Sequence, residues 1–198
     1  MDFYDVSKFT VRLLATTLWR ARVIGTENVP ASGPLIVACN HVSYLDPPLM
    51  GCLCPRRIHY MAKKELFEMP VVGPMIRALG AYPVDRHGSA TAAIKRSLSV
   101  LEGGGAVGIF PEGTRNRAGT VSPQTGVALL ASLAKAPVVP ACILGSDRAP
   151  RLSRVSVAFG APLALAADRK ATREDLAKFT SDVMNAIERL AERISGNT

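Results

Sequence analysis

The sequence predicts an α/β fold, a single layered domain with a largely parallel central sheet flanked by helices, and three observations carry that prediction. Short apolar runs alternate with longer amphipathic segments along most of the chain, the order expected when strands of one sheet are linked by helices. Two of those runs, Leu35–Cys39 and Ala106–Ile109, lead straight into polar clusters, Asn40–Asp46 and Glu112–Arg117. Strand ends are where an open α/β sheet builds its sites. The 198 residues suffice for one core without staples, with no internal repeat or low-complexity linker to divide them.

Taken in order, residues 1–24 read as an N-terminal amphipathic, interfacial helical segment and 25–198 as the folded domain. Phe3, Phe9, Leu13, Leu14 and Trp19 are interrupted by Lys8, Arg12, Arg20 and Arg22, so no run of about 18 uncharged apolar residues exists for a spanning helix. Such a helix can lie in a membrane interface or cover the sheet, and its spacing does not separate the two. Gly25–Gly33 is a turn-rich link. Leu35–Cys39 reads as a buried strand, after which Pro47-Pro48 is expected to stop regular structure, with a short apolar helix between Pro48 and Pro55. Ile58–Ala62 reads as a strand ending at Lys63-Lys64, and Leu66–Leu79 as two short pieces broken by Pro70 and Gly73-Pro74. Ala81–Val84 is a short strand. Ser89 is the expected cap of a helix carrying Ile94, Leu98 and Leu101, stopped by Gly103-Gly104-Gly105. Gly103, Gly105 and Gly108 satisfy GxGxxG, but here a helix precedes and a strand follows, the reverse of a dinucleotide fingerprint. Thr125–Lys135 reads as a helix, and Val138–Leu144 and Arg154–Phe159 as strands. Thr172 and Asp175 form a capping-box pattern opening a last helix striped by Leu176, Phe179, Val183, Ile187, Leu190 and Ile194.

A net charge of +8, a pI near 9.7 and a mean hydropathy of +0.18 point to an anionic partner. Aromatics are only 6% and do not interleave with basic residues, which favours an anionic membrane surface and a phosphorylated ligand over nucleic acid. The four cysteines lack zinc spacing: Cys39 and Cys142 sit in apolar runs, and Cys52 and Cys54 have no second pair. No metal is expected, and the free thiols suit a reducing, cytoplasmic side.

His41 and Asp46 are the candidate chemistry. Residues five apart point about 140° away from each other on a straight helix, so the two meet only across a turn. There the carboxylate can hold the imidazole in one tautomer and stabilise the imidazolium. The plainer alternative is a strand-end histidine bonded to backbone, with Asp46 capping the next element. Cys39, two residues before His41, offers a second pairing, disfavoured by its apolar surroundings.

With Asn40-His-Val-Ser-Tyr-Leu-Asp46, Gly80-Ala-Tyr-Pro-Val-Asp-Arg86, Phe110-Pro-Glu-Gly-Thr-Arg115 and Ala136-Pro-Val-Val-Pro140 in series, the chain resembles the glycerolipid acyltransferase family. The resemblance runs from about Asn40 to Pro140 and implies acyl transfer from an acyl thioester, acyl-CoA or an acyl-carrier protein, to the free sn-2 hydroxyl of lysophosphatidate, giving phosphatidate. It implies His41 and Asp46 as catalytic residues, and Lys63, Arg86, Glu112, Gly113, Thr114 and Arg115 at the substrate. No cofactor is implied beyond the thioester co-substrate, and contact with the cell membrane would be peripheral, from its cytoplasmic side. One departure is Gln124, where many relatives carry lysine before the glycine; it leaves another lysophospholipid or an amino-lipid as acceptor. A thioesterase, or a non-catalytic membrane or nucleic-acid binder, are the competing classes; a binder would leave His41, Asp46 and Glu112 unexplained.

Overall fold

In a computed structural model, residues 3–84, 90–116, 118, 120–165 and 170–196 are described. The strands are β1 (Arg22–Ile24), β2 (Leu35–Cys39), β3 (Ile58–Lys63), β4 (Tyr82–Val84), β5 (Ala106–Ile109), β6 (Val138–Leu144) and β7 (Ser156–Phe159). They form one sheet in the order β1-β7-β6-β2-β5-β3-β4. Every pairing is parallel except that of β6 with β7. The helices are α1 (Phe3–Leu18), α2 (Asp46–Leu53), α3 (Val72–Ala78), α4 (Ala90–Glu102), α5 (Gly126–Ala134) and α6 (Arg173–Ser195). The expected α/β architecture is the one observed.

Central strand β2 is buried along its whole length, and its alternating side chains serve two cores. Leu35, Val37 and Cys39 face α1 and α2, whereas Ile36 and Ala38 face α4, α5 and α6. Burying a Leu, Ile or Val side chain contributes about 1.5–3 kcal/mol. That is of the same size as the roughly 1–2 kcal/mol of backbone ordering each residue costs, so a polar residue there would leave the cost uncovered. The run therefore had to be apolar throughout rather than alternating. Gly108 in β5 lies against the Tyr60 ring, which a Cβ there would overlap. That packing is why the glycine is there, and α4 before it with β5 around it removes the dinucleotide reading.

Three local expectations are corrected. Pro47 and Pro48 do not stop regular structure: they occupy the first turn of α2, where a missing N–H costs nothing. Arg22–Ile24, assigned by sequence to the N-terminal segment, is an edge strand paired with β7. The strand expected from Arg154 runs only from Ser156, antiparallel to β6. The capping box at Thr172 is formed, with Asp175 N–H donating to its Oγ1 at 3.2 Å and Thr172 N–H donating to Asp175 Oδ2 at 2.8 Å. Ser89 lies outside the described residues.

Helix α1 is apolar on two sides. One side packs on α2: Tyr4 and Ala15 are buried, and the Tyr4 hydroxyl donates to Gly51 O at 3.3 Å. The other leaves Val6, Phe9, Leu13, Leu14 and Leu18 between 42% and 64% exposed. Among the described residues no helix is long and apolar enough to cross a membrane.

Candidate active site

The site begins where β2 ends. Asn40 prolongs the strand with its side chain, donating to Ile143 O at 3.0 Å and accepting from Ile143 N–H at 2.8 Å. The chain then turns into α2, whose first residue is Asp46. One carboxylate oxygen, Asp46 Oδ2, closes that turn: it accepts from Val42 N–H at 2.7 Å, from Ser43 N–H at 2.7 Å and from His41 Nδ1 at 2.9 Å. The five-residue spacing thus becomes a contact through a tight loop. A carboxylate at a helix N-terminus is also favoured by the helix dipole.

The geometry fixes the imidazole. Because Asp46 Oδ2 only accepts, Nδ1 carries the proton and Nε2 keeps its lone pair. The ring stacks on Phe110, centroids 4.3 Å apart, and Phe110 stacks in turn on Tyr60 at 5.9 Å. Asp46 is fully buried, while the His41 side chain keeps 16% of its surface open. A buried carboxylate behind a partly open imidazole is the arrangement of a general base and its orienting group. The Cys39 alternative does not form. Its thiol hydrogen bonds to Asn40 Oδ1 at 3.4 Å, and burial, with Cys142 and Asp46 nearby, pushes the thiol well above its usual range.

The second polar cluster follows β5. Gly113 adopts φ +66, a left-handed conformation glycine takes without strain, and its N–H donates to Phe110 O at 2.9 Å. Glu112 is buried at the edge of a groove. Its Oε2 accepts from His41 N–H at 2.8 Å and its Oε1 from Asn116 Nδ2 at 3.0 Å. Asn116 N–H donates to His41 O at 2.7 Å, so both backbone groups of His41 are gripped by this cluster. Glu112, expected at the ligand, has both oxygens engaged by the protein and also lines the groove that runs toward α6.

Thr114 and Arg115 are exposed, and the Arg115 guanidinium lies 3.6 Å above the centroid of Tyr44, itself 71% exposed. Lys63 is the exposed last residue of β3, two strands from β2, or roughly 10 Å across the sheet. Arg86 lies outside the described residues. Gln124 donates its N–H to Pro111 O at 2.9 Å, and its side chain lies over Gly113. Behind Glu112 and Asn116, a groove of about 620 Å³ runs toward α6, lined also by Asn40, Val42, Met184 and Glu188. No group of three or more His, Cys, Asp or Glu able to hold a metal exists among the described residues. Tyr44 and Asn116 had no assigned role in the sequence reading. Neither spacing nor composition singles them out, and only the meeting of the two strand ends does.

Residues 20–144 match the family described as Acyltransferase. The 1-acyl-sn-glycerol-3-phosphate acyltransferase of Bacillus subtilis (strain 168) is 36% identical over 146 residues, covering 72% of this chain and 73% of that protein. The protein of the same name from Streptococcus pneumoniae (strain ATCC BAA-255 / R6) is 30% identical over 200 residues, covering 96% and 74%. The crystal structure of the 1-acyl-sn-glycerophosphate (LPA) acyltransferase PlsC from Thermotoga maritima superposes with a TM-score of 0.73 at 25% identity. That likeness covers 98% of this chain and 83% of that one.

Proposed function

The chain belongs to the acyltransferase family, and from that premise we propose that it moves a fatty acyl group from an acyl thioester to the sn-2 hydroxyl of 1-acyl-sn-glycerol-3-phosphate, giving phosphatidate. The observation that carries the reading is the His41–Asp46 contact, which leaves Nε2 as a free base on a partly open ring. An alcohol is a weak nucleophile at neutral pH, and a positioned base contributes about 10²–10⁴-fold. His41 takes the hydroxyl proton as the oxygen attacks the thioester carbonyl, Asp46 stabilises the imidazolium, and the proton passes to the departing thiolate. The thioester is already activated, so the step needs neither an acyl-enzyme nor a further cofactor. Both CoA and an acyl-carrier protein present the same thioester to this base.

For the acceptor phosphate we assign Arg115, held over Tyr44, with Gly113 and Thr114 in the same turn and Lys63 at the neighbouring strand end. Arg86 belongs to the same proposed set on its motif alone. Glu112 is better read as support for His41 than as a ligand contact. Membrane contact is proposed to be peripheral, through the outward stripe of α1 and its exposed Arg12. A second acceptor class stays open on one observation: Gln124, the departure from the family pattern, lies directly over Gly113.

The test is product formation from a panel of lysophospholipids with one acyl-CoA, with and without acceptor. Acyl transfer greatest on lysophosphatidate, and lost in His41→Ala, is expected. Thioester hydrolysis at the same rate without acceptor would make the protein a thioesterase. Preference for another headgroup would move the assignment to the second class.

A further inference from the structure

We infer that Asn116 is a positioning residue for His41, acting with Glu112 as a closed hydrogen-bonded clamp on the histidine backbone; the inference rests on His41 being the base of the proposed acyl transfer. The clamp is a ring of three residues joined by three hydrogen bonds. His41 N–H donates to Glu112 Oε2 at 2.8 Å, Asn116 Nδ2 donates to Glu112 Oε1 at 3.0 Å, and Asn116 N–H donates to His41 O at 2.7 Å. The remaining Asn116 oxygen, Oδ1, accepts from Val121 N–H at 3.2 Å, tying the ring to the segment that leads into α5. Asp46 fixes the imidazole from its Nδ1 side, whereas the clamp fixes the peptide groups on either side of the His41 Cα. Together they leave the ring one position. The clamp also forms part of the wall between that loop and the groove toward α6.

Side-chain chemistry makes the ring testable, because its donors and acceptors have only one consistent arrangement. Glu112 must accept twice, and Asn116 must donate toward Glu112, with a longer donation from the same nitrogen to Val121 O at 3.4 Å, and accept from Val121 N–H. In Glu112→Gln, either orientation of the new amide sets one N–H against another donor. In Asn116→Asp, two carboxylate oxygens meet. In the double variant Glu112→Gln/Asn116→Asp the ring closes again: the glutamine oxygen accepts from His41 N–H, and its NH₂ donates to the aspartate. The other aspartate oxygen then keeps Val121 N–H, and only the longer 3.4 Å donation to Val121 O is lost.

The experiment measures kcat and KM for both substrates in the four proteins, well below their melting temperatures. It also records the His41 imidazole chemical shifts, assigned with His41→Gln. Hydrogen bonds to charged groups are of a size that predicts a loss of about 10- to 100-fold in kcat for each single variant, with KM little changed. The double variant is expected to regain at least about tenfold, and its His41 shift to return toward the wild-type value. Three results would overturn the inference: single variants with wild-type kcat, a folded double variant no better than either single, or a loss confined to KM for the lysophospholipid. If the wild-type protein transfers no acyl group, the proposed function fails, and the imidazole shifts alone decide the clamp: it stands if they move in the singles and return in the double, and falls otherwise.

Discussion

Asp46→Asn separates a catalytic carboxylate from a mere helix cap. The substitution keeps the shape, so the amide oxygen can take the place of Oδ2 and still accept from Val42 N–H, Ser43 N–H and His41 Nδ1. The opposite orientation would face an NH₂ toward three donors and is excluded. The amide nitrogen must then replace Oδ1, which is buried and has no hydrogen-bond partner among the described residues. An unsatisfied buried N–H costs about 1–3 kcal/mol of stability, or about 2–4 °C in Tm per kcal/mol for a chain of this size. The catalytic loss is larger. A carboxylate about 4 Å from an imidazolium, at an effective dielectric constant near 20, stabilises it by about 4 kcal/mol. Losing that charge slows the chemical step by about 10³-fold. Initial rates at saturating acyl-CoA and lysophosphatidate, alongside thermal melts, measure both effects. A folded Asp46→Asn protein with kcat within tenfold of wild type would refute the reasoning and leave Asp46 as a cap.

Three further outcomes follow from the same geometry. Val6→Ser, Phe9→Ser and Leu13→Ser together are expected to cut activity on anionic vesicles far more than on a short-chain soluble acceptor, because these side chains are exposed and hold nothing in the core; equal losses on both would make α1 structural cover only. Trp19 is unsuitable for that test, since its Nε1 donates to Ala149 O at 2.8 Å. Tyr44→Ala is expected to raise KM for lysophosphatidate several-fold with kcat nearly unchanged, by freeing the Arg115 guanidinium stacked on it, a contact worth about 0.5–1 kcal/mol at an exposed site; steady-state kinetics decide it. The four cysteines are expected to resist iodoacetamide at pH 8 in the folded protein with no loss of activity, because burial holds Cys52 near pKa 11 and Cys142 near 12 and raises Cys39 and Cys54; thiol counting by mass spectrometry before and after unfolding checks this.

The fold was legible because burial writes directly into sequence: Leu35–Cys39 could be apolar throughout only as a strand covered on both faces. The capping box at Thr172 was legible because both its partners lie within one turn. What escaped was set by tertiary context. Pro47 and Pro48 read as breakers, yet they are tolerated in a first helical turn that Asp46 opens. Val23 gives a three-residue strand almost no local signal, and only the neighbouring β7 defines β1. In the candidate site, the His41–Asp46 pairing was readable as a possibility, since a turn between β2 and a helix was the one geometry that allowed it. The engagement of Glu112 by His41 N–H and the part played by Asn116 were not readable, because their partner is 71 to 75 positions away and is met through backbone atoms.

The two-sided character of α1 also bears on how the molecule sits on a surface. Tyr4 and Ala15 fasten the helix to α2, and α2 begins with Asp46. A helix seated in this way is a hull rather than a tether. At 1.5 Å per residue its 16 residues span about 24 Å, and that length is packed onto α2, the element that follows the His41 loop. Under the peripheral contact proposed above, a bilayer that takes up its outer stripe would set the height and tilt of the imidazole above the headgroups. Lipids that differ only in how deeply their hydroxyl lies would then meet the same base at different distances, so membrane thickness and packing become inputs to substrate choice.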